Sequence, residues 1–155
     1  SRGRAAGYTL NLPTEDKKMH SYSDFVDSMA VLLGGYASEE IFFNEVTTGA
    51  SNDLKRVTQV ARQIVTQYGM DKRLGPRTFG EKEELIFLGK EIHERRDYSE
   101  KTAEIIDDQI SKYIKEALET AKKTIKDNKA KLEKLVKVLL EKETIEKEEF
   151  ESLMA

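Results

Sequence analysis

The spacing of apolar residues predicts a chain built mainly from helices. Apolar side chains recur every three or four positions from Ser23 onward, and the same period returns after Ser51, Ser99 and Asn128. This spacing places apolar side chains on one face of an α-helix. We therefore expect a helical period over 23–43 that Gly34-Gly35 interrupts, helices over 51–68, 99–126 and 129–141, and a last short helix that Thr144 caps and that runs through Met154.

Glycines and polar pairs interrupt or end these helices. Gly34-Gly35 lies within the first one, where each glycine costs roughly 1 kcal/mol relative to alanine. If that helix is continuous, the glycine pair indicates that another backbone packs closely against it. Gly69 is expected to stop the second helix, and Asp127-Asn128 is expected to break the long third one.

Two regions lack a helical period. Residues 7–12 alternate apolar and polar side chains between Gly7 and Pro13, which predicts one short edge strand near the N-terminus. Residues 70–98 carry several glycines and no sustained period, so we expect a long loop with a short extended piece at 85–88. Loops of that length in a compact domain usually serve function or face a partner.

The composition narrows the classes of function. The 155 residues carry 26 Lys and Arg against 29 Asp and Glu, with both signs interspersed, so we expect one domain without a nucleic-acid groove. Cysteine is absent, which excludes disulfides, thiolate metal sites and a cysteine nucleophile. No apolar run approaches a membrane span of roughly 18 residues, and we expect a soluble chain. The start without Met suggests a piece of a longer protein.

Histidine spacing does not indicate a metal site. His20 lies in a polar stretch and His93 lies in KEIHERRD, and neither has a second histidine at ligand spacing, so surface roles are expected. The chain contains no HExxH pair of zinc-binding histidines, no phosphate loop and no dinucleotide fingerprint. Spacing alone therefore does not indicate an activity.

Acidic residues near glycines leave two interpretations open. Ser51 and Asp53 follow Gly49 at the start of a predicted helix, where Ser51 can cap free N–H groups and Asp53 suits the helix dipole. The same dipole favours an ionised carboxylate, which makes Asp53 a competent cation ligand. Glu39 and Glu40 could orient an imidazole of such a site or could simply be solvated, and for Glu40 we expect the solvated state.

Several motifs together resemble one known family, the peptidase domain of the FtsH-type membrane-anchored AAA+ zinc metalloproteases. The resemblance covers essentially the whole chain, and its motifs are numerous and colinear. They are RGRAAGYTLNLP (2–13), LLGGYASEEIFF (32–43), TTGASNDLKRVTQVARQIVTQYGM (47–70), LGP (74–76), FLGKEI (87–92), YSEKTAEIIDDQI (98–110) and LLEKETI (139–145).

The resemblance implies a mostly α metallopeptidase domain over 1–155, with a zinc-site half at 1–98 and C-terminal helices at 99–155. It also implies that Asp53 is the third zinc ligand and that Glu39 lies close to the two histidine ligands. The strand with Gly7, Tyr8, Thr9 and Leu10 would bind extended polypeptide substrates by strand addition. The parent protein would be a homo-hexamer, membrane-anchored with this domain on the cytoplasmic side in bacteria or an organelle equivalent. ATP and magnesium would bind in its AAA+ module.

The chain departs from the family pattern because the HExxH helix, with its general base, belongs upstream of RGRA and is not among the 155 residues. A catalytic zinc needs three protein ligands and an open position for water. We therefore expect this chain alone to be inactive and to bind zinc weakly. The alternative is a non-catalytic helical module for assembly or partner binding.

Overall fold

The computed structural model describes residues 19–82, 94–95 and 97–154. Helices dominate this part of the chain, and two very short strands pair with each other. The elements are α1 (Tyr22–Leu32), α2 (Gly34–Phe43), a 3-10 turn (Thr48–Ala50), α3 (Ser51–Thr66), β1 (Glu81–Lys82), β2 (Glu94–Arg95), α4 (Glu100–Asp127), α5 (Lys129–Lys142) and α6 (Lys147–Met154).

The mostly α fold is confirmed. The apolar period located α3, α4 and α5 to within two residues at each end. Gly69 ends α3 as expected, because its φ of 59° is left-handed and the N–H of Met70 returns to the carbonyl of Ile64 at 3.2 Å. Asn128 separates α4 from α5.

The interruption expected at Gly34-Gly35 is present, and the period over 23–43 does not form one continuous helix. The chain forms two helices that meet at Leu33. This residue, with φ of −85° and ψ of −2°, is both the C-cap of α1 and the N-cap of α2. A Cβ at Gly34 or Gly35 would meet no atom of the described residues within 4 Å, so within that part of the chain no backbone packs closely against the pair. The glycines instead mark a joint, because glycine favours the helix interior least among residues other than proline.

The core lies where α4 packs against α1, α2 and α3, with α3 also packed on α1. Its fully buried side chains include Met29 at the end of α1, Leu33 at the joint and Val57, Ile64 and Val65 on α3. α4 contributes its predicted apolar stripe, of which Ile125 is partly buried and the following residues are buried: Ala103, Ile106, Ile110, Tyr113, Ala117 and Ala121. The helices α1, α2 and α3 are therefore assembled on the one long helix α4.

A buried polar contact joins α4 to the turn after α3. Asp71 is only 3% exposed, and its carboxylate accepts hydrogen bonds from the backbone N–H groups of Arg73 and Leu74 and from the Tyr113 hydroxyl. Burial, followed by the hydrogen bond to Asp71 and the charge of that carboxylate, raises the pKa of the Tyr113 hydroxyl well above its ordinary value. This contact fixes the turn against the core.

α5 and α6 pack against each other at the C-terminal end of the chain. The apolar stripe predicted on α5 remains largely at the surface, with Val136 and Leu139 exposed and Leu140 80% exposed. α6 begins at Lys147, three residues later than the expected cap at Thr144. Regular apolar spacing thus predicted a helix correctly but did not place its stripe in the core.

The strands β1 and β2 form an antiparallel pair that lies between α3 and α4 in the sequence. The N–H of Gly80 donates to the carboxylate of Asp97 at 2.8 Å beside this pair. The predicted strand at 7–12 and the extended piece at 85–88 lie outside the described residues. Within the described ranges, no helix combines the length and the apolarity needed to cross a membrane.

Candidate metal-ligand site at the start of α3

Asp53 lies in the first turn of α3, where the helix dipole favours a negative charge. Its side chain is 45% exposed, and within the described residues its nearest cation is the guanidinium of Arg56 at 3.9 Å. At that distance the ion pair is weak, and a carboxylate offers about four lone-pair positions. Asp53 therefore has the position and the coordination capacity of a metal ligand.

The helix start is capped differently from expectation. Ser51 does not cap α3, because it is already the first helical residue and Ala50 precedes it without a side-chain hydrogen bond. The cap lies earlier, where the Thr47 hydroxyl accepts a hydrogen bond from the N–H of Gly49 at 3.1 Å and so begins the 3-10 turn. Ser51 was therefore the wrong residue, and the signal for the cap was the Thr-x-Gly spacing.

Glu39 holds this cap in place. One carboxylate oxygen accepts from the Thr47 N–H at 2.7 Å, and the other accepts from the Thr47 hydroxyl at 2.9 Å. Hydrogen bonds to an ionised carboxylate are stronger than those between neutral groups. Glu39 thus connects α2 to the turn that precedes Asp53. The sequence did not predict this contact between Glu39 and Thr47.

Glu40 is not the free, solvated acid that was expected. Its carboxylate accepts a hydrogen bond from the Lys122 ammonium at 2.8 Å, which joins α2 to α4. That hydrogen bond raises the pKa of Lys122 above its ordinary value. The two adjacent glutamates therefore point to different partners, one in the turn before α3 and the other on α4.

The residues that the structure describes do not form a complete metal site. Within them, no group of three His, Cys, Asp or Glu side chains could hold a metal ion. His20 is exposed, and its ring lies 5.8 Å from the Phe25 ring. His93 and the predicted substrate-binding residues at 7–10 lie outside the described ranges. The donor chemistry of Asp53 fits zinc, which accepts carboxylate oxygen beside histidine nitrogen.

Comparison with known families decides the affiliation of the chain. The sequence model of Peptidase family M41 matches residues 1–153. The chain belongs to peptidase family M41. This match spans the Glu39–Thr47 contact and Asp53 as well as the C-terminal helices, so the resemblance based on motifs is confirmed over nearly the whole chain.

Individual M41 relatives agree with this assignment. The chain is 47% identical over 152 residues to the ATP-dependent zinc metalloprotease FtsH 1 of Thermoanaerobacter sp. (strain X514), which covers 98% of the chain and 25% of the relative. It is 50% identical over 156 residues to the ATP-dependent zinc metalloprotease FtsH of Chloroflexus aggregans, covering 99% of the chain and 24% of the relative. It is 45% identical to the ATP-dependent zinc metalloprotease FtsH of Thermotoga maritima, and the match covers 98% of the chain and 25% of the relative. The M41 chain thus spans about a quarter of the length of these curated relatives.

Proposed function

We propose that this M41 chain is the C-terminal part of the peptidase domain of an ATP-dependent zinc endopeptidase that degrades membrane and soluble proteins. The family match and the printed names of the relatives support the reaction class. The observation that carries the site assignment is the Asp53 carboxylate, which is half-exposed at a helix N-terminus and lies 3.9 Å from the Arg56 guanidinium. Asp53 is proposed as the third protein ligand of zinc.

The other ligands are proposed to come from an HExxH helix upstream of Ser1, which would also supply the general base. When bound, zinc polarises the scissile carbonyl and increases the acidity of water. Asp53 contributes one oxygen and one negative charge to that site, and Glu39 contributes the anchored turn that precedes Asp53. With a single ligand, the chain alone is proposed to be inactive.

Substrate contact is proposed for the segment with Gly7, Tyr8, Thr9 and Leu10. Its alternating pattern suits pairing with an extended polypeptide, in which main-chain hydrogen bonds supply affinity for many sequences. The parent protein is proposed to be a membrane-anchored homo-hexamer with this domain on the cytoplasmic side or its organelle equivalent. ATP and magnesium would bind in its AAA+ module and not in residues 1–155.

The decisive experiment replaces Asp53 by Ala in the gene product that carries this chain with its upstream segment. We expect zinc content and proteolysis to be lost while ATP hydrolysis survives, because the ligand is removed from the peptidase site alone. Asp107→Ala is the matched control, since Asp107 is an exposed acid on α4. Retained proteolysis in the Asp53 variant would exclude Asp53 from the site.

The second candidate is a non-catalytic helical module for assembly or partner binding. The exposed apolar side chains Val136, Leu139 and Leu140 favour it, because their spacing places them on one face of α5 and contiguous exposed apolar patches mark protein contacts. The coding sequence upstream of Ser1 discriminates the two functions. An HExxH motif joined by a short connector supports the protease, whereas an unrelated domain or a broken motif supports the module.

A further inference from the structure

Thr47 is the point at which α2 and the turn before α3 are joined. Both its backbone N–H and its hydroxyl donate to the Glu39 carboxylate, at 2.7 Å and 2.9 Å. The two bonds use both oxygens of one carboxylate, so they restrain the orientation of Thr47 as well as its distance from α2. A single bond would leave the residue free to rotate about it.

The same hydroxyl also shapes the turn that follows. Thr47 Oγ1 accepts from the N–H of Gly49 at 3.1 Å while it donates to Glu39. A hydroxyl can do both, because it has one donor hydrogen and two acceptor lone pairs. Glu39, Thr47 and Gly49 thus form a continuous chain of hydrogen bonds, in which each bond polarises the next.

α3 has no side-chain cap of its own to set where it begins. Ala50 occupies the cap position, and the Ser51 N–H bonds back to the carbonyl of Thr48 within the 3-10 turn. Ala50 is buried, so the turn is also anchored by packing. The direction in which α3 starts, and with it the position of Asp53 two residues later, is therefore set by the turn that Thr47 begins.

Gly49 gives an independent sign that this turn is closely fitted. A Cβ at Gly49 would lie 3.2 Å from Thr47 Oγ1 and 3.4 Å from Glu39 Oε1. The first distance is shorter than nine in ten real Cβ contacts, and Thr47 Oγ1 cannot move away without stretching the hydrogen bonds it makes. Only glycine leaves these atoms undisturbed.

We propose that Thr47, held by Glu39, is the positioning residue for Asp53. In this role Thr47 is not itself a ligand. It fixes the turn before α3, and that turn determines the position of the Asp53 side chain. This inference rests on the proposed function, in which Asp53 is a zinc ligand. Groups that orient a ligand commonly change metal affinity by about 10- to 100-fold when they are removed.

The first measurement is amide hydrogen exchange of the 155-residue chain without metal. Thr47→Val keeps the branched shape and removes the hydroxyl, so the Gly49 amide is expected to exchange faster, while the amides of α4 keep their protection and show that the fold is intact. Thr47→Ser restores the hydroxyl and is expected to restore slow exchange. An unchanged Gly49 amide in Thr47→Val would overturn the proposal.

The second measurement is zinc affinity of the gene product with its upstream segment, by competition with a chromophoric chelator. Thr47→Val is expected to raise the zinc dissociation constant by about tenfold or more, and Thr47→Ser is expected to bind like the wild type. Thr48→Val is the matched control, because Thr48 is the exposed neighbour and its hydroxyl has no hydrogen bond within the described residues.

The variant Asp53→Asn distinguishes failure of the positioning role of Thr47 from failure of the proposed function. If Asp53→Asn loses zinc while Thr47→Val binds it like Thr48→Val, the positioning role is overturned and the proposed function stands. If Asp53→Asn keeps wild-type zinc affinity, the proposed function fails and the positioning role fails with it. Loss of zinc in Asp53→Asn together with the weakened affinity of Thr47→Val supports both.

Discussion

The Tyr113 hydroxyl donates a hydrogen bond to the Asp71 carboxylate at 2.8 Å, which connects the middle of α4 to the turn that follows α3. The two residues are 42 positions apart in the sequence, and both are buried. A buried carboxylate is costly unless it is fully hydrogen-bonded, and the N–H groups of Arg73 and Leu74 complete its set. The contact therefore couples the local fold of the turn to the core.

Removing the hydroxyl should destabilise the chain. Tyr113→Phe is expected to lower the free energy of unfolding by about 1.5–3 kcal/mol, because the bond it removes has an ionised acceptor in a buried setting. Urea denaturation followed by circular dichroism measures this. Tyr68→Phe is the control, since the half-exposed Tyr68 stacks on Phe25 through its ring. Equal stability of the two variants would show that the hydroxyl contributes nothing.

The same residue predicts a pH dependence. Folding raises the pKa of Tyr113 above its ordinary value of 10.0, so above that pH the unfolded chain loses the phenolic proton while the folded chain keeps it. The contribution of Tyr113 is therefore complete below pH 10 and falls as the pH rises further. Tyr113→Phe should be less stable at pH 7 yet lose less stability between pH 10 and 12. Parallel stability curves for the two proteins would contradict the raised pKa.

Two glycines are expected to respond in opposite directions to alanine. At Gly35 a Cβ meets open space, so Gly35→Ala should stabilise α2 by about 0.5–1 kcal/mol through helix propensity. At Gly49 the Cβ meets the Thr47 hydroxyl at 3.2 Å, so Gly49→Ala should destabilise by about 1 kcal/mol, the typical contribution of one hydrogen bond. Urea unfolding of both variants provides the comparison. Destabilisation by Gly35→Ala would reveal a neighbour packed against it.

Zinc should bind the 155-residue chain weakly or not at all. In the proposed site Asp53 would supply one ligand, whereas catalytic zinc sites have three protein ligands and a water. Isothermal titration with zinc at pH 7, in the wild type and in Asp53→Asn, measures this directly. A tight one-to-one complex that Asp53→Asn abolishes would contradict the need for upstream ligands.

Local features of this fold could be predicted because they depend on neighbours in the sequence. The apolar stripes of α3 and α4 and the glycine stop at residue 69 express helix period and backbone freedom. The Thr47 cap is equally local, since its partner Gly49 is two residues away and the Thr-x-Gly spacing is its signal in the sequence.

Pairings across the fold could not be predicted in this way. Lys122 is 82 residues from Glu40, and a lysine on a helix with many charges carries no local sign of its partner. The hydrogen bonds from Thr47 to Glu39 depend on the α1–α2 joint and on the return of the chain beside α2. Such contacts follow from how helices pack, which hydrophobic period alone does not determine.

The length of α4 has a consequence for cleavage of the chain. Its 28 residues span about 42 Å, and its buried face covers α1, α2 and α3 together. A cut between α3 and α4 would produce two pieces. The piece with α1, α2 and α3 would expose its core to solvent, and the piece with α4 would expose its apolar stripe. Neither piece could keep its shape alone, but mixed together they should reassemble, so a nicked chain is expected to migrate as one particle until denaturant separates the halves.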